Sequence, residues 1–522
     1  MKQSVIVFGV LLIISGSTYG RTVSPNDFGL QQALTAEERY EALYRAHSFA
    51  CKSGYSVSYK GISSIDLIIN PESKPIPLSD NTDFCGVSLN VKNNAKDFFL
   101  FNKIADTKQI RVPSSCFSSY DFRGIASLRK RQVVLVVQDN NPWVDNRAGH
   151  NYGASRKDIL VLRRGKAKNR TVASYDNVYS SPSCQYFVTT TNKKSFKNVT
   201  FNRDSSSTYK TFLFKIENIY NLEICGITIN TPTNDTMFGD AVMMINNCAY
   251  LDFHDVTING TYSRADMYGY GISMDNVWNS RFDNIMANCD FGVFGNNNIQ
   301  RASVSNSYIN RFDIHCYGKD LFFDNVIFSQ MGLSIGSFYG DANFTRCTFT
   351  QSVPCACRKD YNAYTPFNLK FSNCVFNLTR RFCYIINMAS IPTSINSRAE
   401  LTQKCLPNVA IENCVFHLSD DMTEWTLFYV GEGAASDHYS FGHIDNISMR
   451  NSHIESNQSV FKLFNRTIYS TKDVIVDING LTNESKRHPL GNGSFKAMRD
   501  DNIVVNIRKK NSISDMSSFG EK

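Results

Sequence analysis

Leu222-Glu-Ile-Cys-Gly-Ile-Thr-Ile229, Leu251-Asp-Phe-His-Asp-Val-Thr-Ile258 and Ala302-Ser-Val-Ser-Asn-Ser-Tyr-Ile309 share one grammar: apolar and polar residues alternate, an Asn, Asp or Gly interrupts, and a second short alternation follows. The same order returns at residues 322–328, 369–376, 409–416 and 447–454. Alternation with period 2 describes a strand with one buried face. The interrupting residue must turn the chain sharply, and Asn, Asp and Gly tolerate the left-handed backbone angles this requires. Further strands precede the motifs at 241–247, 270–276, 291–297, 312–318 and 331–337. Repeats of roughly 20 to 30 residues cannot enclose a core singly, so they must stack. The expected fold is all-β, a right-handed single-stranded parallel β-helix. A β-sandwich would need hairpin turns, for which short corners between parallel strands leave no place.

Working outward, Thr35-Ala-Glu-Glu38 is a capping box, and Tyr40, Leu43, Ala46, Phe49 and Ala50 follow at helical spacing until Gly54. This predicts an N-terminal amphipathic capping helix over the open end of the coil, where it blocks edge pairing. Residues 1–20, with Lys2, an apolar run from Val5 to Ile14 and small residues up to Gly20, have the order of a signal peptide. The expected organisation is then 21–165 for the cap helix and first coils with loop insertions, 166–480 for the parallel β-helix, and 481–522 for a C-terminal cap or tail. No later stretch reaches the roughly 20 apolar residues of a spanning helix, so stable membrane insertion is not expected. The expected location is secreted or periplasmic.

The chain has 15 cysteines. Cys225, Cys248, Cys289, Cys316, Cys347, Cys374 and Cys414 fall inside apolar strands as small buried hydrophobes. Cys355 and Cys357 read as part of a polar insertion, with oxidation against Cys383 or Cys405 open. Histidines at zinc-ligand spacing are missing, so no metal or other cofactor is called for. The net charge of +8 suits an acidic polymer as partner. No basic stripe with interleaved aromatics points to nucleic acid, and serine-hydrolase, Rossmann and phosphate-loop signatures do not occur.

Asn26-Asp-Phe-Gly29, the helix after it and Gly54-Tyr-Ser-Val-Ser58, together with the stacked coils, resemble the pectin-lyase-like superfamily, and within it polygalacturonase-type hydrolases and phage tailspike-like depolymerases. The resemblance implies a β-helix acting on a long polysaccharide. Gly332-Leu-Ser-Ile-Gly-Ser337 is similar to the polygalacturonase segment in which a His-Gly pair precedes Ser-Ile-Gly-Ser, but Met331 stands at the histidine position. The catalytic set is therefore not carried over from that family.

Candidate site residues come instead from aligning the strands. The alignment points Met243, Ile272, Val293, Ile314 and Leu333 inward, and Asp240, Asp290, Arg311, Asp313, Phe294, His315, Asp275, Asn296 and Tyr317 outward beside Gly271, Gly292 and Gly332. The glycines would open a trough for a sugar ring. Asp290 and Asp313, with Asp240 as substitute, would be roughly 8 Å apart at the backbone, within the ~6.5–9.5 Å of inverting glycosidases. His315 completes the catalytic candidates; Arg311, Tyr317, Asp275, Phe294 and Tyr339 are the substrate-binding candidates. The functional expectation is an exported enzyme that degrades or processes an acidic bacterial exopolysaccharide as a glycoside hydrolase. In the rival lyase reading, His315 or Tyr317 takes the proton and Arg311 neutralises the enolate. A non-catalytic glycan-binding or adhesin protein is the alternative, and either plan is compatible with a homo-oligomer.

Overall fold

A computed structural model describes residues 21–78, 81–94, 97–102, 107–144, 154–171, 182–203, 212–231, 241–260, 270–288, 292–336, 338–350, 353–358, 367–381, 383–388, 407–430, 440–441, 446–455, 460–465, 469–470, 474–479, 482–483 and 503–508. The signal-peptide expectation for residues 1–20 lies outside these.

The repeat strands form one 29-stranded sheet, and each repeat pairs in parallel with the one a coil below. One inward column runs Phe196, Ile224, Phe253, Phe282, Val304, Phe323, Phe344, Phe371, Ile411 and Met449, each residue in register with the next. This is a parallel β-helix, and strand twist makes the right hand the default for such crossovers. Pairing continues through Ile503–Arg508.

The turning residues behave as the motif requires. Asn198, Gly226, Asp255, Asn284, Asn306, Asn325, Arg346, Asn373, Asn413 and Asn451 all have φ between 47° and 64°. Parallel stacking also puts aromatic rings one coil apart. Phe328, Phe349, Phe376 and Phe416 stack at 5.1, 5.1 and 4.8 Å with rings within 9° of parallel, close to the ~4.8 Å strand spacing.

The capping helix spans Ala36–Ser53, with the Thr35/Glu38 box formed at its start and Gly54 at φ 69° ending it. Tyr40, Leu43, Ala46 and Ala50 are buried on its inner face, whereas Phe49 is half-exposed against Phe28 and Tyr55. His47 is buried there too, with Nε2 2.8 Å from the Tyr59 hydroxyl.

Two features differ from the sequence reading. Val353–Cys357 is a core strand rather than a polar insertion, and Cys355 and Cys357 are buried free thiols in register with Leu333 and Ile335. Second, strands Lys108–Ile110, Val133–Val144, Ala154–Arg163, Lys166–Ala167 and Ser183–Val188 form a separate five-stranded antiparallel sheet. Within it, residues 133–137 and 159–162 are apolar and buried on both faces. Leu135, Leu160 and Leu162 pack with Phe117, Phe122 and Leu128 in a core of their own, while Val134, Val136, Ile159, Val161 and Phe187 pack on Tyr220, Ala249 and Trp278 of the coil. At the seam Asp158 is buried and is ion-paired within its own strand to Arg156, Nε to Oδ2 at 3.2 Å. Gln300 Nε2 donates to the other Asp158 oxygen at 3.2 Å, and the Lys157 N–H donates to Asn298 Oδ1 at 3.1 Å.

Burial pulls the His47 pKa down to about 3. The unfolded ring, at its ordinary value near ~6.5, binds a proton that the folded ring refuses, so stability should fall as pH drops from there toward about 3. Thermal midpoints measured across this range should show a shallower decline for His47→Phe than for the wild type.

Candidate functional site

Four side chains meet where strands Tyr270–Asn288, Gly292–Ile309 and Phe312–Phe328 lie side by side. The Tyr270 ring lies over Gly292 and Gly295, whose hypothetical Cβ atoms would stand 2.8 and 2.4 Å from it. Only glycine leaves it room. The Tyr270 hydroxyl donates to Asp313 Oδ2 at 2.8 Å and lies 2.8 Å from His315 Nε2. Arg311 forms an ion pair with the same Asp313 oxygen. A phenol has one proton, and here it goes to the carboxylate, so the Tyr270 oxygen is left to accept from His315 Nε2 in the form that carries its hydrogen there.

His315 reaches this position through a bulge. Asn296 pairs with Ile314 and Asn297 with Cys316, so His315 is the extra residue. Bulges re-aim a side chain in this way. His315 is half-buried, whereas Asp313 is fully buried. Burial pushes the Asp313 carboxyl pKa up, against the pull of Arg311, Tyr270 and Arg358. Burial, and next the Asp313 charge, push the Tyr270 hydroxyl up as well.

The structure corrects several site expectations. Asp313 faces outward but lies beneath Tyr270, so it holds Tyr270 and Arg311 rather than meeting a polymer; Arg311 is correspondingly taken up by Asp313. Gly271, Gly292 and Gly332 open no trough for a sugar: the Tyr270 ring fills the space at Gly292, and a Cβ on Gly271 or Gly332 would meet Ile258 or Phe349. Phe294 pairs with Ile272 and Phe312 in the core, one residue out of the expected alignment, and Asn296 turns inward between Met274 and Ile314. Tyr317 occupies a left-handed corner (φ 60°) and is buried. Tyr339 pairs with Lys319, beyond that corner, and so lies off the face that carries Asp313. Asp240 and Asp290 lie outside the described residues.

Asp275 belongs to a second feature on the same face. The antiparallel sheet overhangs the coil and encloses a cleft of about 440 Å³, with Lys157 and Gln185 on its side and Glu217, Asn218, Asn246, Ser273 and Asp275 on the coil side. Lys157 Nζ is ion-paired to Asp275, which also accepts from Asn298 Nδ2 at 2.8 Å. Glu217, Asn246 and Asp275 stand in one row on three successive coils. Ser273 shares a row with Gly295 and Asp313, which joins the cleft to the Tyr270 cluster. Asn218 is buried, and its Oδ1 has no hydrogen-bond partner among the described residues. Such an atom costs about 1–3 kcal/mol until a donor reaches it.

Tyr270, Glu217 and Asn218 escaped the sequence reading although their strands were within reach of the same alignment. Lys157 had no signal, since the antiparallel insertion breaks the repeat. On another face, Glu223, Asp252 and His254 bring ligand atoms within 4.8 Å of one another, but Lys193 lies 2.5 Å from Glu223 and 3.4 Å from Asp252, and Arg281 reaches Asp252 at 3.4 Å. That cluster is an exposed ion-pair network.

No protein-family model and no curated protein matches the chain. Among solved structures it is similar to the tailspike protein gp49 of Pseudomonas phage LKA1, at 12% identity and a TM-score of 0.48, covering 91% of this chain and 84% of that one. It is also similar to the Gp54 tailspike of Acinetobacter baumannii bacteriophage AP22, solved with an A. baumannii capsular saccharide, at 12% identity and a TM-score of 0.48, covering 93% and 79%. A third similar structure is the Agl-KA catalytic domain, at 11% identity and a TM-score of 0.29, covering 96% and 70%.

Gly295→Ala should drive the Tyr270 ring from its seat while leaving the strand pairing intact. In a histidine-labelled sample, the His315 imidazole resonance should move in this variant as it does in Tyr270→Phe. An unchanged resonance in both would mean that the phenol does not hold the ring.

Proposed function

We propose that this protein binds a long polysaccharide across the coil face and cleaves it, with His315 moving the proton at the reacting sugar. The observation that carries this reading is the roofed polar cleft, continuous along one outward row with the Tyr270, Asp313 and His315 cluster. A cleft of this size, lined by amides, hydroxyls and charged groups, suits a sugar residue of a chain that enters and leaves along the coils.

Among the reaction classes, β-elimination gains from the arrangement. Hydrolysis by the expected aspartate pair needs Asp313 to reach either water or the leaving oxygen, and its burial stands against that. His315, held at Nε2 by a phenol that is itself held by Asp313, is positioned to move a proton at a bound sugar. Asp313 and Tyr270 are then positioning residues. The acidic character of the polymer rests on the net charge of +8 and on the need of elimination for a uronic acid. Arg311 does not supply it, being occupied by Asp313. A secreted or periplasmic location rests on residues 1–20.

Size analysis of several acidic exopolysaccharides after incubation should show shortening with a rise in ultraviolet absorbance from unsaturated ends. His315→Ala should lower the rate by about 10²–10⁴-fold, and Tyr270→Phe should lower it less and shift the acidic limb of the pH profile. Shortening without absorbance would replace elimination by hydrolysis. Full activity of His315→Ala would remove His315 from the reaction, and tight binding without shortening would leave a glycan-binding module.

A further inference from the structure

The roofed cleft differs chemically from what an acidic sugar needs. We infer that it is a subsite for an uncharged sugar residue, recognised through its hydroxyl hydrogens; this deepens the polysaccharide reading and rests on it. On the coil side the carboxylates of Glu217 and Asp275 and the amide oxygen of Asn218 are acceptors, beside the amides of Asn246, Asn247 and Asn297 and the Ser273 hydroxyl, which both donate and accept. Its one lining lysine among the described residues, Lys157, is ion-paired to Asp275. Glu217 has Lys215 Nζ at 3.6 Å and the Asn246 amide at 3.4 Å. Each carboxylate therefore has its cation, and among the described residues no lining cation is left over for a uronate. A uronate placed here would be a third carboxylate beside two that already share the two cations. A neutral ring offers what is missing, since each hydroxyl donates one hydrogen.

Asn218 makes the point independently of the charges. It is only 4% exposed and its Oδ1 lacks a partner. Its backbone stands at φ 58°, the left-handed corner that opens on the cleft. An Asn at such a corner commonly bonds its neighbour in the stack, as Asn276 Nδ2 does to Asn247 Oδ1 at 2.9 Å one coil further on. The Asn218 oxygen is instead left for a donor arriving from the cleft. Ser273, inside the cleft, and Asp313 are two coils apart in one row, about 10 Å at ~4.8 Å per coil. One glycan can thus place a neutral residue under the roof while a neighbouring residue lies by His315. The polymer implied is a heteropolysaccharide with an uncharged sugar in its repeat.

The test is calorimetric titration with fragments of three polysaccharides built of uronic acids alone, so that any residue in the cleft is charged, each before and after chemical reduction of its carboxylates to alcohols. At least one reduced form should bind ten or more times tighter than its unreduced parent. Asn218→Gly, which keeps the left-handed corner and removes the amide, and Glu217→Gln should each weaken that binding tenfold or more. Tighter binding of the unreduced forms, or wild-type affinity in both variants, would overturn the neutral subsite and leave the polysaccharide reading standing. If no form of any polymer is bound or cleaved, both are overturned.

Discussion

At the Asn corner of each coil the backbone turns left-handed, and the strands on either side pair in parallel with the coil below. A one-residue slip at that corner would exchange the inner and outer faces of everything that follows. The corner residues and the apolar column behind them therefore do more than stabilise the coil. They decide which side chains can share an outer face, and so where a site can be built.

The site exploits two departures from that regular pairing. One is the bulge at His315, which adds a residue to one coil and swings the imidazole toward Tyr270. The other is the antiparallel sheet, which leaves the coil after its first turns and returns as a roof. It is attached where Gln300 of the coil donates to Asp158, whose buried charge is neutralised by Arg156 on the same strand. Removing one member would strand a buried charge, a change that commonly costs ~3–5 kcal/mol. The roof and the cleft are thus tied to the same coils that carry the Tyr270 cluster.

Much of this was legible in the sequence. The recurring alternation with Asn, Asp or Gly between strands specified the fold, and Thr35 with Glu38 marked the capping helix. Asp313, His315, Arg311 and Asp275 were recognised as outward-facing polar residues. The errors arose where the pattern is locally ambiguous. In Gly292-Val-Phe-Gly295, two adjacent apolar residues offer two alignments, and the packing of Phe294 between Phe282 and Phe312 selects the one that period alone did not. Gly292 is legible as an absent side chain, but the ring that fills its space comes from Tyr270, a coil away, and the same ring covers Gly295, which the expected alignment leaves out. Lys157 could not have been found, because antiparallel strands follow a different register from the repeat.

The central claim is that one glycan lies along the face joining the cleft to His315. A crystal structure of His315→Ala with a bound polysaccharide fragment addresses it most directly. The account predicts sugar density under Lys157, against Glu217, Asn218 and Ser273, running along the coils to the vacated position of His315. Density confined to another face, such as that of Lys193, Glu223 and Asp252, would contradict it.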